Sequence, residues 1–201
     1  MSLVFDTAEK YILEDNCVLL RPLQENDCEN LRVFSLNEPE LWKYSLVKVA
    51  GEENLIKYIN AALSARAECR EYPFIVFDKR TQEYAGSTRF YDIQVSQKTL
   101  QLGYTWYGKK FHGTGLNKHC KFLLLQFAFE TAGMERVEFR ADNTNERSIA
   151  AMKSIGCVVE GVLRSSTFKA DGTRRDSIVL SILKNEWESG VKEKLAARLV
   201  I

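Results

Sequence analysis

The apolar positions of this chain follow two periods, and the points where one gives way to the other mark its elements. Cys17-Val-Leu-Leu-Arg21 is a short apolar run stopped by Pro22, which reads as a strand. Asn26 or Asp27 can cap a helix that sets Leu31 and Phe34 on one face. From Glu52 to about Arg70, Leu55, Ile56, Ile59, Ala62 and Leu63 recur at helical spacing. The pattern then turns to strands. Phe74-Ile-Val-Phe77 is bounded by Pro73 and by Asp78-Lys-Arg-Thr81. Tyr84 to about Val95 follows, weakened near Gly86-Ser87, and Leu100 to Trp106 ends at Gly108. Short links between these three predict an antiparallel meander.

Helical spacing returns from Gly115 to about Thr131, with Leu116, Cys120, Leu123, Leu124, Phe127 and Ala128 as the apolar stripe and Gly133 as the stop. Arg136-Val-Glu-Phe-Arg-Ala141 alternates apolar and charged residues, the period of a strand. Asn143-Thr-Asn145 opens another helix, which ends at Gly156. This strand–helix order requires at least one parallel pair with a crossover. Val158 to Lys169 and Arg174 to Leu183 flank Asp171-Gly172, a hairpin signal. A charged helix follows Asn185, and the tail from Trp187 is expected to be loose or partner-binding. The sum is one α/β (α+β) domain over residues 1–201, its core running from about 17 to 187 and its helical tail from 188 to 201. Its mixed central sheet should hold about six or seven strands.

Composition narrows the possibilities. With 45% hydrophobic and 11% aromatic residues the chain can bury a sizeable core. Its 28 basic and 27 acidic residues leave a formal charge of +1, which argues against a broad nucleic-acid surface. No apolar run approaches the roughly 18 residues of a membrane span, and the early acidic residues do not fit a secretory leader. The five cysteines are odd in number and scattered, as expected of free thiols in a reducing cytoplasm. With two histidines and no clustered ligands, no metal is expected.

The chemistry concentrates where the third meander strand passes into a helix, at Gly108-Lys-Lys-Phe-His-Gly113-Thr-Gly115-Leu116. Gly113 and Gly115 permit a tight turn and close approach of a ligand. A helix start presents unpaired N–H groups and partial positive charge, which suit a phosphate or diphosphate. Lys109, Lys110, His112, Lys118 and Lys121 add positive charge around it. A nucleoside-triphosphate loop would continue with Lys and Ser or Thr, but Thr114 and Gly115 stand there. A dinucleotide fingerprint would need a third glycine where Lys118 stands. Asn145-Glu-Arg-Ser148 opens the next helix, where Asn145 alone would serve as the cap.

Taken in order, these pieces resemble the GCN5-related N-acetyltransferases, in particular the subgroup similar to ribosomal-protein N-terminal acetyltransferases. The resemblance runs from about Val18 to Trp187. It is carried by Val18-Leu-Leu-Arg-Pro-Leu23, Gly103-Tyr104, Lys110-Phe-His-Gly113-Thr-Gly115, Asn145-Glu-Arg-Ser148, Ile155-Gly156, Glu160-Gly-Val-Leu-Arg164, Asp171-Gly-Thr-Arg-Arg-Asp176 and Glu186-Trp187. It implies a sheet flanked by about four to five helices and splayed in the middle, between Gly103–Trp106 and Arg136–Ala141. It also implies acetyl-coenzyme A as co-substrate. The pantetheine arm would lie along Tyr104, Thr105 and Trp106, and the diphosphate on the amides of Phe111, His112, Gly113, Thr114, Gly115 and Leu116. Lys110 takes the place of the family's Gln or Arg, Asn145 would lie near the arm, and Ser148 near the sulfur.

The resemblance implies transfer of an acetyl group to a primary amine: a protein N-terminus, a lysine or a small amine. Ser148 is the candidate proton donor to the leaving sulfur, and a backbone N–H near Trp106 the candidate for polarising the carbonyl. The central strand, Leu100-Gln-Leu-Gly-Tyr-Thr-Trp106, lacks the family's carboxylate. Asp92, Glu160, Tyr104 or a water chain remain as routes for the amine proton. His112 touches phosphate or faces solvent, whereas His119 is read as structural. The early helices and the segment Glu38–Gly51 are expected to shape the acceptor site, Trp42 and Tyr44 lining a pocket or packing as core aromatics, and a homodimer would form through an exposed strand or the C-terminal helix. Two readings compete: a non-catalytic acyl-coenzyme A sensor on the same fold, and an assembly domain with a vestigial loop.

Overall fold

The computed structural model describes residues 5–199. Its framework is one eight-stranded sheet in the order β1-β2-β3-β4-β5-β6-β8-β7. The strands are β1 (Leu13–Glu14), β2 (Val18–Pro22), β3 (Glu71–Asp78), β4 (Glu83–Gln94), β5 (Thr99–Tyr107), β6 (Arg136–Asp142), β7 (Val158–Phe168) and β8 (Arg174–Leu183). All neighbours are antiparallel except β5 and β6. The extra strand is the two-residue β1, too short to leave a period in the sequence. Pro73 lies inside β3 rather than ahead of it. Its carbonyl takes the Leu23 N–H at 3.0 Å, and the donor it lacks falls where β2 has ended.

The long helices are α1 (Asp27–Asn37), α2 (Glu52–Ala67), α3 (Leu116–Gln126) and α4 (Glu146–Ser154). Alternation along β5 shows which face each covers. Trp106 donates to Tyr58 of α2 at 3.3 Å, while its neighbour Thr105 accepts from Lys121 of α3 at 2.8 Å. Thus α2 lies on one face of the sheet and α3 on the other. The entry to α1 is fixed by Asp27, which is fully buried and takes a two-pronged hydrogen bond from Arg21 (2.7 and 2.8 Å) besides the Gln24 N–H.

Both flanks of the expected core boundary are packed. Phe5 is buried among Tyr11, Tyr72, Phe90 and Phe127, so the core begins well before residue 17. Nor is the chain loose from Trp187. Two short helical segments, α5 (Lys184–Glu186) and α6 (Lys192–Ala196), flank a wide turn at Trp187–Val191. Trp187 is buried against Phe122 and Phe129 and donates to Glu130 at 2.9 Å. Leu195 is buried as well, and α6 packs on α3.

The contact between β4 and β5 depends on Gly86. It has φ +156°, and a Cβ there would lie 2.1 Å from the Trp106 carbonyl oxygen. Backbone against backbone leaves nothing to give way. Gly86→Ala is therefore expected to cost on the order of 2 kcal/mol or more, read as a lower midpoint in urea unfolding. An unchanged midpoint would show that the two strands separate freely here.

Candidate active site

β5 and β6 run side by side for only three residue pairs, from Thr99–Arg136 to Gln101–Glu138. Beyond them β5 bends away. Ser87 faces Trp106 and Arg89 faces Gly103, so one residue of β4 spans two of β5, Tyr104 and Thr105. Tyr104 takes φ +49°, a left-handed conformation that a bulge can hold. β6 meanwhile stays on β8 as far as Asp142. The sheet thus opens between Gly103–Trp106 and Phe139–Asp142; the family resemblance implies a splay facing Arg136–Ala141, of which Arg136–Glu138 remain paired with β5. A cavity of about 1040 Å³ runs through the opening. Its size suits a long ligand and a second molecule together.

At one mouth of the cavity stands the loop before α3. Gly113 (φ +76°) and Gly115 (φ +87°) have left-handed backbones, and no atom lies within 4 Å of where a Cβ would sit on either. The N–H groups of Gly113, Thr114 and Gly115 make no hydrogen bond with any described residue. Three adjacent open donors at a helix start form an anion cradle. Phe111, His112, Gly113 and Gly115 line the cavity, whereas Lys110, Thr114 and Leu116 do not. Lys110 instead pairs with Glu83 at 2.6 Å, and Leu116 is core. The cavity-lining cations nearest this loop in the chain or by contact are Lys118, at the start of α3, and Arg147, which meets His112. His112 is half-buried, its Nε2 2.9 Å from the Tyr107 carbonyl and its Nδ1 3.1 Å from Arg147. Those partners assign the proton to Nε2. His119 lies in the core, where it binds Asp15 at 2.6 Å.

Ser148 and Asn145 meet the cavity from the start of α4. Asn145 caps the helix through the Ser148 N–H (3.1 Å), and the Ser148 hydroxyl has no partner among the described residues. Asp92 also lines the cavity. Its carboxylate accepts from Gln101 at 2.7 Å and Gln94 at 2.9 Å. The amide on the central strand therefore holds in place an acid on the next strand. Glu160 is not brought to these groups. It lies outside the cavity wall, bound to Arg136 and Ser181, and the Arg136 guanidinium pulls its pKa to about 2. Tyr104 lines the cavity with Arg89 stacked 4.3 Å from its ring centre, and burial raises its pKa. Burial also pushes the Cys120 and Cys157 thiols up to about 12, so neither is a thiolate at neutral pH. Trp42 and Tyr44 both line the cavity, and Trp42 is at the same time buried edge-on against Trp106.

Three groups on the wall carry no clear sequence signal for this place: Asp142, Arg175 and Lys121. Helical spacing gives Lys121 to the charge around the anion loop, but its side chain runs under the open sheet. It is 5% exposed, donates to Thr105 and lies 5.8 Å from the Phe139 ring centre. Burial lowers its pKa from 10.5 to about 8. The unfolded chain therefore binds the extra proton between those two values, so the lysine penalises folding below pH 8 and the penalty fades toward pH 10.5. Lys121→Met is expected to stabilise the free protein by on the order of 2 kcal/mol at pH 7, after loss of the Thr105 bond, and by far less at pH 10. Urea titrations of both proteins at the two pH values test this, and a pH-independent difference would contradict it.

Similarity to known proteins agrees with this geometry. Residues 18–158 match the family model described as Acetyltransferase (GNAT) domain. The chain is 27% identical over 172 residues to "Uncharacterized N-acetyltransferase p20" of Bacillus licheniformis, covering 84% of this chain and 93% of that one. It is 36% identical over 103 residues to "Putative ribosomal N-acetyltransferase YdaF" of Bacillus subtilis, covering 51% and 55%. A crystal structure of a "putative acetyltransferase" from T. thermophilus superposes with a TM-score of 0.85 at 33% identity, covering all of both chains. With a family model spanning most of its length and a sheet opened beside a helix start that presents open amides, the chain belongs to the GCN5-related N-acetyltransferases.

Proposed function

We propose that this acetyltransferase uses the opened sheet to hold acetyl-coenzyme A and delivers the acetyl group to a primary amine entering past Tyr44 and Trp42. The observation that carries the reading is the row of unbonded N–H groups at Gly113–Gly115 beside the cleft. The diphosphate would rest on these amides, with Lys118 and Arg147 beside it in place of the Lys110 that the sequence suggests. The arm would follow the β5 edge past Thr105, where no strand pairs with it. Thioester and amine are thereby held together, which supplies much of the rate.

The chain's own residues divide the proton work. Asp92, braced by Gln101 and Gln94, takes the amine proton directly or through water. Tyr104 shapes the wall beside it. Ser148, whose hydroxyl has no other partner, gives a proton to the departing sulfur. The missing acid on the central strand is thus offset by one on its neighbour, which favours an enzyme over a sensor. Five free cysteines support a reducing, cytoplasmic setting. The edge strand β7 exposes Val158, Val162, Leu163 and Phe168, which supports a homodimer through that strand. No helix among the described residues is long and apolar enough to cross a membrane.

Calorimetry distinguishes the coenzyme reading from a vestigial loop. Coenzyme A is expected to bind at least about a hundredfold more tightly than pantetheine, which lacks the diphosphate. Equal affinities would remove the anion cradle from the account. In a thiol-release assay with pooled amines, Asp92→Asn and Ser148→Ala should each lower kcat about tenfold or more while coenzyme A affinity holds. Unchanged turnover in either variant would take that residue out of the chemistry.

A further inference from the structure

Arg175, near the start of β8, is 7% exposed, yet its side chain has no hydrogen bond or ion pair with any described residue. Its Nε is wholly enclosed without a partner, and the side chain lines the cavity. The contrast with Arg89 is direct. That arginine is equally buried and also leaves its Nε and one terminal nitrogen without a hydrogen bond, but it binds Glu71 at 2.6 Å, lies between the rings of Tyr58 and Tyr104, and does not line the cavity. A structural arginine in this protein is paired. An unpaired buried guanidinium is costly, and at a ligand cavity that cost points to a missing anion.

Position indicates which ligand carries the anion. Arg175 pairs across the hairpin with Thr167, and Ser177, two residues on, faces Asp142 of β6. Side chains alternate along a strand, so Arg175 shares the face of Asp142 and Arg140, while Phe139, in contact with Lys121, is on the other. Its charged and aromatic surroundings are Asp142, Arg140, Tyr91 and Tyr104. Asp142 stays beyond ion-pair distance and spends one oxygen on the Thr144 amide (2.9 Å) and hydroxyl (2.6 Å). The coenzyme's diphosphate already has the loop amides, Lys118 and Arg147 at the starts of α3 and α4. Arg175 instead interacts with Tyr91 and Tyr104, and Asp92, the acid proposed to take the amine proton, follows Tyr91 directly in β4.

We propose that Arg175 reads an anionic group, a carboxylate or a phosphate, on a small amine acceptor. The proposal rests on the acetyl-transfer reading above and narrows its acceptor. The guanidinium fork matches either oxyanion with two parallel hydrogen bonds, and both cases leave the amine free to reach the thioester.

The test uses matched acceptors that differ only in the anion: α-amino acids against their amides, and phosphoethanolamine against ethanolamine. Peptide amides represent protein N-termini. The intact protein is expected to prefer the anionic member of at least one pair by about tenfold or more in kcat/KM, and the productive pair identifies carboxylate or phosphate. Arg175→Gln should bring that ratio below about threefold through KM, and Arg175→Lys should keep part of it. Circular dichroism melts of both variants separate loss of recognition from loss of fold. A ratio near one in the intact protein, an undiminished ratio in Arg175→Gln, or peptide amides reacting as well as any anionic amine would overturn the proposal. If no amine releases thiol although coenzyme A binds, the transfer reading fails by itself. Equilibrium dialysis of N-acetyl amino acids and inorganic phosphate against the coenzyme-loaded protein then decides the anion site. Binding lost in Arg175→Gln upholds it, and absence of binding in the intact protein ends it.

Discussion

The early end of the pairing between β5 and β6 is the constraint on which the site depends. Parallel strands ordinarily continue for as long as their backbones can exchange hydrogen bonds. Here Tyr104 in a left-handed conformation puts an extra residue into β5, and Gly86 lets β4 follow the bend at van der Waals distance. β6 cannot follow, because β8 holds it through Asp142. The edge of β5 that would have been hidden in a ladder is left for a ligand. The helix after the bend starts next to the opening, so an anion cradle and an open strand edge arise from one local distortion.

A second property is the uneven treatment of charge. Where a buried charge serves the fold, it has an opposite charge beside it: Asp27 has Arg21 and a backbone amide, and Arg89 has Glu71 and two rings, although two of its nitrogens stay without a hydrogen bond. Around the cavity the balance is left incomplete. Lys121 has one side-chain acceptor for three N–H groups, Arg175 has none, and the loop amides are open. The free protein bears these costs, and a ligand of matching polarity relieves them. The pattern of unmet hydrogen bonds is thus a coarse outline of what enters.

Much of this was legible in the sequence. The β–loop–α passage and the Asp171-Gly172 hairpin are local signals, set by glycine backbone freedom and by period, and they stand where expected. The opening of the sheet and the approach of Ser148 came from family resemblance, because no local pattern records where a pairing stops. The misplaced residues share one cause. Lys110 and Lys121 both read as loop charge, yet Glu83, distant in sequence, claims the first, and the second points into the core. Glu160 reads as a free acid until Arg136 is found across the sheet. Arg175 sits in a charged hairpin that looks like surface, yet in the fold it is buried beside Tyr91 and Tyr104, which are distant in sequence. Long-range partners decide the fate of a charged side chain, and a single sequence does not name them.

Segments from far apart in the sequence close on α3 and its extension. Phe5 packs on Phe127, Trp187 on Phe129 and Phe122, and α6 on α3 itself. During synthesis the helix that presents the loop amides emerges long before Leu195 does. The side of it that Trp187 and α6 cover stays bare until translation has passed that point. A nascent chain paused between Gly133 and Trp187 would display an aromatic face to chaperones and would have no working site.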